Sequence, residues 1–262
     1  MLLTLVLAAL PLADPHPLLV PPPAASPGAD PSEAVRIETE DHVTLAATYY
    51  EPTGKEGRSP AAMLIHDAGC DQNQVVDIAK YLQRKGFGVL TVDLRGHGGS
   101  VSEKAGAPPW EALDERSRER AWAFAMRDLR AGADFLRKRR EIHASNLSIV
   151  GIGASAALAV RHAMDDENAR AVVLISPRAE NFGFNLVGGL GHLEGLPSLI
   201  ISPKDGREAA ARLQNAGHKA NDGYEYIELA VMKSEEGELL SDSRLRAQIA
   251  TWLRDKVVTK RN

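Results

Sequence analysis

Residues 149–157, "IVGIGASAA", read as a strand that breaks into a tight turn and continues as a helix of small residues. A serine at the centre of such a turn, in the pattern G-x-S-x-G, projects its hydroxyl from strained backbone, where it can attack a carbonyl carbon. Here the five residues are Gly151-Ile152-Gly153-Ala154-Ser155. Glycine holds the centre. The serine comes two places later, in the first helical turn, where a hydroxyl caps or packs. Acyl transfer also needs a base, a carboxylate to orient that base, and backbone N–H groups to hold the oxyanion. Other chemistries are thinly supported. The single cysteine, Cys70, excludes an intrachain disulfide and a cysteine-based zinc site. Asp205, Glu235, Glu236 and Glu238 could together hold Ca²⁺ or Mg²⁺, but "EEGE" reads more simply as a solvated charge run. No metal and no cofactor is expected.

The elements that must position these residues follow from periodicity. "VRIETED" and "VTLAATYYEP" alternate in period two around a polar turn, the pattern of an antiparallel hairpin. Short apolar runs typical of strands buried on both faces follow: "AAMLIHD", "GVLTVDL", "LSIVGIG", "AVVLISP", "LPSLIIS" and "YEYIELA". Helical patterns lie between them. "QVVDIAKYLQRKG" stops on Gly86; Trp122, Met126, Leu129, Ala133 and Leu136 share one face of the longest helix; Leu245, Ile249, Trp252 and Leu253 share one face of the last. Strands alternating with helices over this length predict one α/β domain, with an eight-stranded, mostly parallel sheet covered on both faces.

Composition sets the remaining bounds. The 262 residues are 44% hydrophobic and 25% charged, with a net charge of −4, so neither nucleic acid nor an anionic membrane surface is an expected partner. Residues 1–13, "MLLTLVLAALPLA", have the length and small-residue end of a signal peptide, although the first Lys or Arg is Arg36. The run is too short for a stable membrane span. Export to the periplasm or exterior is expected if the signal is used, and a cytoplasmic location otherwise. Residues 14–33 hold seven of the fifteen prolines and read as a disordered linker, so the domain is expected over residues 34–262.

The loops carry a resemblance. "LIHDAGCDQ" follows the third strand, "VDLRGHGGS" the fourth and "VGIGAS" the fifth, while "PSLIISPKDG" spans the seventh and its exit. Together they resemble the α/β-hydrolase fold superfamily, of the compact kind similar to dienelactone hydrolases and serine aminopeptidase-like esterases. The resemblance implies a single domain with little or no cap, and a Ser-Asp-His triad in the chain order nucleophile, acid, histidine. It places the nucleophile at Gly153, which has no side chain, and the acid at Asp205. A turn or N-cap role before "GREAAARL" is the competing reading of that aspartate. It places the histidine at Glu236, a poor base for a hydroxyl at neutral pH. The oxyanion donors would be the N–H groups of Ala68 and Ala154, with Asp67 adding negative charge nearby. His66 and His97 shape loops in similar proteins.

Two functions follow. One is a catalytically degenerate hydrolase fold kept for binding a small molecule, a peptide-like ligand or a partner protein. The other is an active esterase or peptidase with a relocated site, Ser155 serving as nucleophile with His192 or His218. The irregular, glycine-rich stretch "RAENFGFNLVGGLGHLEG" leaves little chain for a lid, so a shallow pocket is expected at the carboxyl ends of the strands.

Overall fold

A computed structural model describes residues 31–53, 57–193, 195–220 and 226–258. The expected signal peptide and all but the last residues of the expected linker lie outside the described residues. The first strand begins at Ser32, within the last residues of the expected linker.

The N-terminal hairpin pairs β1 (Ser32–Glu38) with β2 (Thr44–Tyr50) in antiparallel register. The chain continues through β3 (Ser59–Ile65), β4 (Gly88–Val92), β5 (Ile142–Ile152) and β6 (Ala169–Ile175). After a short hairpin of β7 (Glu180–Asn181) and β8 (Phe184–Asn185) come β9 (Ser198–Ser202) and β10 (Ile227–Val231). The main sheet has eight strands in the order β1-β2-β4-β3-β5-β6-β9-β10. Every neighbouring pair from β4 to β10 is parallel.

Side chains alternate across this sheet. Along β3, Ala61, Met63 and Ile65 enter one apolar cluster, while Ala62 and Leu64 enter the other. That division is why the strand reads as an unbroken apolar run. One cluster is closed by α1 (Val76–Arg84) and α6 (Ser243–Leu253). The other is closed by α2 (Glu115–Arg137), α3 (Ser155–Asp165), α4 (Leu186–Leu190) and α5 (Arg207–Ala220). All five residues proposed for the inner face of α2 are buried, as are the four proposed for α6. The stretch expected to be irregular is ordered instead: residues 180–190 form the β7–β8 hairpin and α4.

The strand order fixes where a site can form. The chain goes from β3 to β4 on one side, then returns to β5 on the other side of β3. The loops leaving β3 and β5 therefore part at their carboxyl ends and open a crevice between them, the usual ligand position in an open parallel sheet. The loop after β4 is pinned beside it. Arg95 is buried, and donates from Nε and Nη2 to Asp128 Oδ1 of α2 at 2.9 and 2.7 Å. It also donates from Nη1 to Asp41 Oδ2 of the β1–β2 turn at 2.8 Å.

Candidate functional site

The crevice is lined by the turn after β5. Gly153 has φ +56°, a left-handed conformation that suits glycine and costs other residues about 1–2 kcal/mol. Its N–H donates to Ile175 O at 2.9 Å, which ties the turn to the end of β6. Ser155 starts α3 and is completely buried. Its Oγ accepts from Ile152 N–H at 2.8 Å, and its one proton is shared between Ile65 O at 3.0 Å and Ile152 O at 2.9 Å. The hydroxyl thus staples the turn to β3.

Across the crevice, β3 exits into His66-Asp67-Ala68. The two N–H groups expected to be open oxyanion donors are occupied. Ala68 N–H and Ala154 N–H both donate to Asp67 Oδ1 at 2.8 Å. The other carboxylate oxygen, Oδ2, accepts from Arg178 Nη2 at 3.0 Å. A Cβ built on Gly153 would fall 2.6 Å from Asp67 Oδ1, and closer still to its Oδ2 and Cγ. Asp67 therefore does more than lend charge to the region: its carboxylate fills the space that a side chain on the turn would need. Three donors hold it there, so it yields less readily than the free end of a flexible chain.

Neither of the other two residues expected in the triad hydrogen-bonds to Asp67 or to the turn among the described residues. Asp205 is exposed in the turn between β9 and α5, and takes no part in the site's hydrogen bonds among the described residues. It lies two residues before Arg207, one position outside the helix cap. Glu236 follows β10 and accepts at Oε1 from Ser176 Oγ–H at 3.1 Å. Ser176 comes directly after Ile175, whose carbonyl holds Gly153, so Glu236 stands at the elbow side. Ser176 has φ +46°, an uncommon conformation for a non-glycine residue. Behind these groups opens a cleft of about 560 Å³, lined by Ser176, Arg178, Val187, Ala210, Leu213 and Glu236. A larger cleft, about 1000 Å³, lies at the amino ends of β5 and β6, against His143, Asp166 and His192. It is remote from the elbow. Its Asp166 is engaged by Arg137 and His162.

The alternative bases are spent elsewhere. The ring of His192 bonds Gly188 O through Nδ1 at 2.7 Å, and that of His218 bonds Ile227 O through Nε2 at 3.1 Å. Cys70 is half-buried and burial raises its pKa, so its thiol is not an activated one. Arg178 was not among the expected site residues. Its only sequence signal is its position three residues beyond β6, and nothing in "SPRAE" announces an ion pair with a residue 111 positions earlier.

His66 and His97 hold the loops that frame the crevice. His66 Nδ1–H donates to Asp67 O at 2.8 Å, and its Nε2 accepts from Leu94 N–H at 3.0 Å. His97 Nε2 accepts from Gly69 N–H at 3.1 Å while Nδ1–H donates to Arg95 O at 3.0 Å. Both rings must be neutral to accept. Burial lowers the pKa of His66 to about 4 and lowers that of His97 as well. The unfolded chain's imidazole protonates near pH 6.5, whereas the folded one resists until about 4. The stability is thus fully present above pH 6.5 and is lost as pH falls towards 4, with His66 alone contributing roughly 3 kcal/mol. Urea titrations at pH 7.0, 5.5 and 4.5 should show the midpoint falling steadily. A midpoint unchanged across that range would overturn the assignment.

The serine aminopeptidase (S33) family profile matches residues 59–182. No curated protein matches the sequence. Among solved structures, an esterase from Pyrococcus furiosus is 15% identical with a TM-score of 0.66, over 87% of this chain and 91% of its own. An α/β hydrolase from a Penicillium species is 14% identical with a TM-score of 0.67, over 87% of this chain and 99% of its own. An acylaminoacyl peptidase from Pyrococcus horikoshii is 14% identical with a TM-score of 0.69, over 88% of this chain and 42% of its own. By its strand order and these likenesses, the chain has the α/β-hydrolase fold in a single domain.

Proposed function

We propose that this protein is a catalytically silent member of its fold, which uses the elbow-side cleft to bind a small molecule. The observation that carries the reading is the Asp67 carboxylate. It takes up both backbone donors that would stabilise an oxyanion, and it occupies the volume beside Gly153 that a nucleophile would fill. The remaining positions agree. Glu236 is an acceptor for Ser176 rather than a base facing a nucleophile, and Asp205 is a solvent-facing turn residue. A relocated site on Ser155 has no comparable support, because its hydroxyl is buried and fully engaged, with no histidine among its partners.

The test is direct. A fluorophosphonate probe should leave the purified full chain unlabelled, and p-nitrophenyl acetate should be hydrolysed no faster than with the Ser155→Ala variant. Stoichiometric labelling of any serine would refute the reading.

A further inference from the structure

Arg178 has no part in acyl transfer, yet it is the best-placed cation of the cleft. Its backbone N–H is tied to Gly153 O at 3.3 Å. Its side chain is 53% exposed, and Nη2 is anchored on Asp67 Oδ2. That is the guanidinium's one hydrogen bond among the described residues, so its remaining N–H groups are left for a ligand. Beside it the wall is apolar, built from Val187 of α4 and from Ala210 and Leu213 of α5. Arg212 also lines the cleft, and lies 3.8 Å from Glu208. Among the described residues Glu236 is the one carboxylate that lines the cleft, and it is already bonded by Ser176.

We infer that the cleft takes a monocarboxylate with a compact apolar body, its carboxylate on Arg178 and its body on Val187, Ala210 and Leu213. A guanidinium matches a carboxylate with two parallel N–H donors, which an ammonium cannot do. Asp67 acts as a positioning residue: it fixes Arg178 before the ligand arrives and lowers the ordering cost of binding. Asp67 also offsets part of the arginine's charge, which suits a single negative charge better than a phosphate dianion. The apolar wall disfavours a sugar or a polyol. The inference rests on the silent-site reading, since Asp67 can anchor Arg178 only while it occupies the oxyanion position.

The experiment uses the full chain, with 4-methylpentanoate and the neutral, similarly shaped 4-methylpentan-1-ol as probes, followed by calorimetry or ligand-observed NMR. The acid should bind at least tenfold more tightly than the alcohol. Arg178→Gln should weaken the acid at least tenfold and leave the alcohol unchanged. Ala209→Glu, a change on the exposed rim of the cleft, should weaken the acid by like-charge repulsion without disturbing the fold. Equal affinity for acid and alcohol, an unaltered acid affinity in Arg178→Gln, or no acid binding would overturn the inference. Fluorophosphonate labelling of the same preparation separates the two readings. Labelling alongside Arg178-dependent acid binding overturns only the silent site, and neither labelling nor binding overturns only the carboxylate.

Discussion

The double variant Gly153→Ser/Glu236→His is expected to stay silent towards short activated esters, while the triple variant that adds Asp67→Gly shows burst-phase acylation. The order of these outcomes follows from the crevice. Serine at 153 needs room for a Cβ where the Asp67 carboxylate now sits, and must adopt a positive φ at a cost of about 1–2 kcal/mol. In the double variant the carboxylate also keeps Ala68 and Ala154 N–H from an oxyanion. Losing one oxyanion donor costs about 10²–10³ in rate, and here both are taken. Asp67→Gly removes the obstruction and frees the donors together. Nucleophile, base and donors act as a unit, so gains across the series should be strongly non-additive. Each single variant should be inactive. Stopped-flow measurement of p-nitrophenolate release, with mass spectrometry to locate the acyl group on residue 153, decides the matter. A burst in the double variant equal to that of the triple would show that Asp67 does not block the site. A folded triple variant that forms no acyl-enzyme would show that position 236 is not the base position.

Much of this architecture is legible in the residues. The apolar runs give β3, β4, β6 and β9 because these are buried on both faces, whereas β10, at the sheet edge, is only half-buried, and the loop after each run sits where chain order puts it. The turn at 151–155 is recognisable from glycine and small residues alone. What escapes is whatever depends on partners far apart in the chain. Asp67 is visible as a charge beside the elbow, but only the fold brings its carboxylate to Ala154 N–H, 87 residues away, and to Arg178. The β7–β8 hairpin escapes for a local reason. Its turn has positive φ at both Phe182 and Gly183, a geometry usually announced by Asn-Gly or Asp-Gly. Phenylalanine accepts it here because tertiary packing outweighs the local preference. Its ring lies 5.1 Å from that of Trp110 and 5.3 Å from that of Trp122. The same aromatic cluster includes His97, so the hairpin, the loop after β4 and α2 are held as one unit.

That unit also rests on Arg95, and Arg95→Ala is expected to be among the most destabilising single changes in the protein. Arg95 and Asp128 are both buried, and the guanidinium is the countercharge for a carboxylate with no access to water. Asp128 Oδ2 additionally accepts from Arg95 N–H at 2.9 Å, so the pair fixes backbone as well as side chains. Breaking such a pair leaves an uncompensated buried charge, at a cost of about 3–5 kcal/mol. For a domain of this size that corresponds to a fall in Tm of roughly 10 °C. Asp41 is half of the reason the cost is high. Its hydrogen bond from Arg95 holds its carboxyl well below the usual carboxylate range, and Arg127 joins it at 2.7 Å. The N-terminal hairpin is therefore tied to α2 partly through Arg95. Arg95→Lys keeps the charge but loses the two-pronged contact, and should fall between wild type and Arg95→Ala. Asp128→Asn in the Arg95→Ala background removes the stranded charge, so the double variant should be more stable than Arg95→Ala alone. Calorimetry on wild type, Arg95→Ala, Asp128→Asn and the double variant gives the coupling. If Arg95→Ala melts within 2 °C of wild type, at the lower edge of what about 1 kcal/mol would shift it, the buried pair is not what holds this loop.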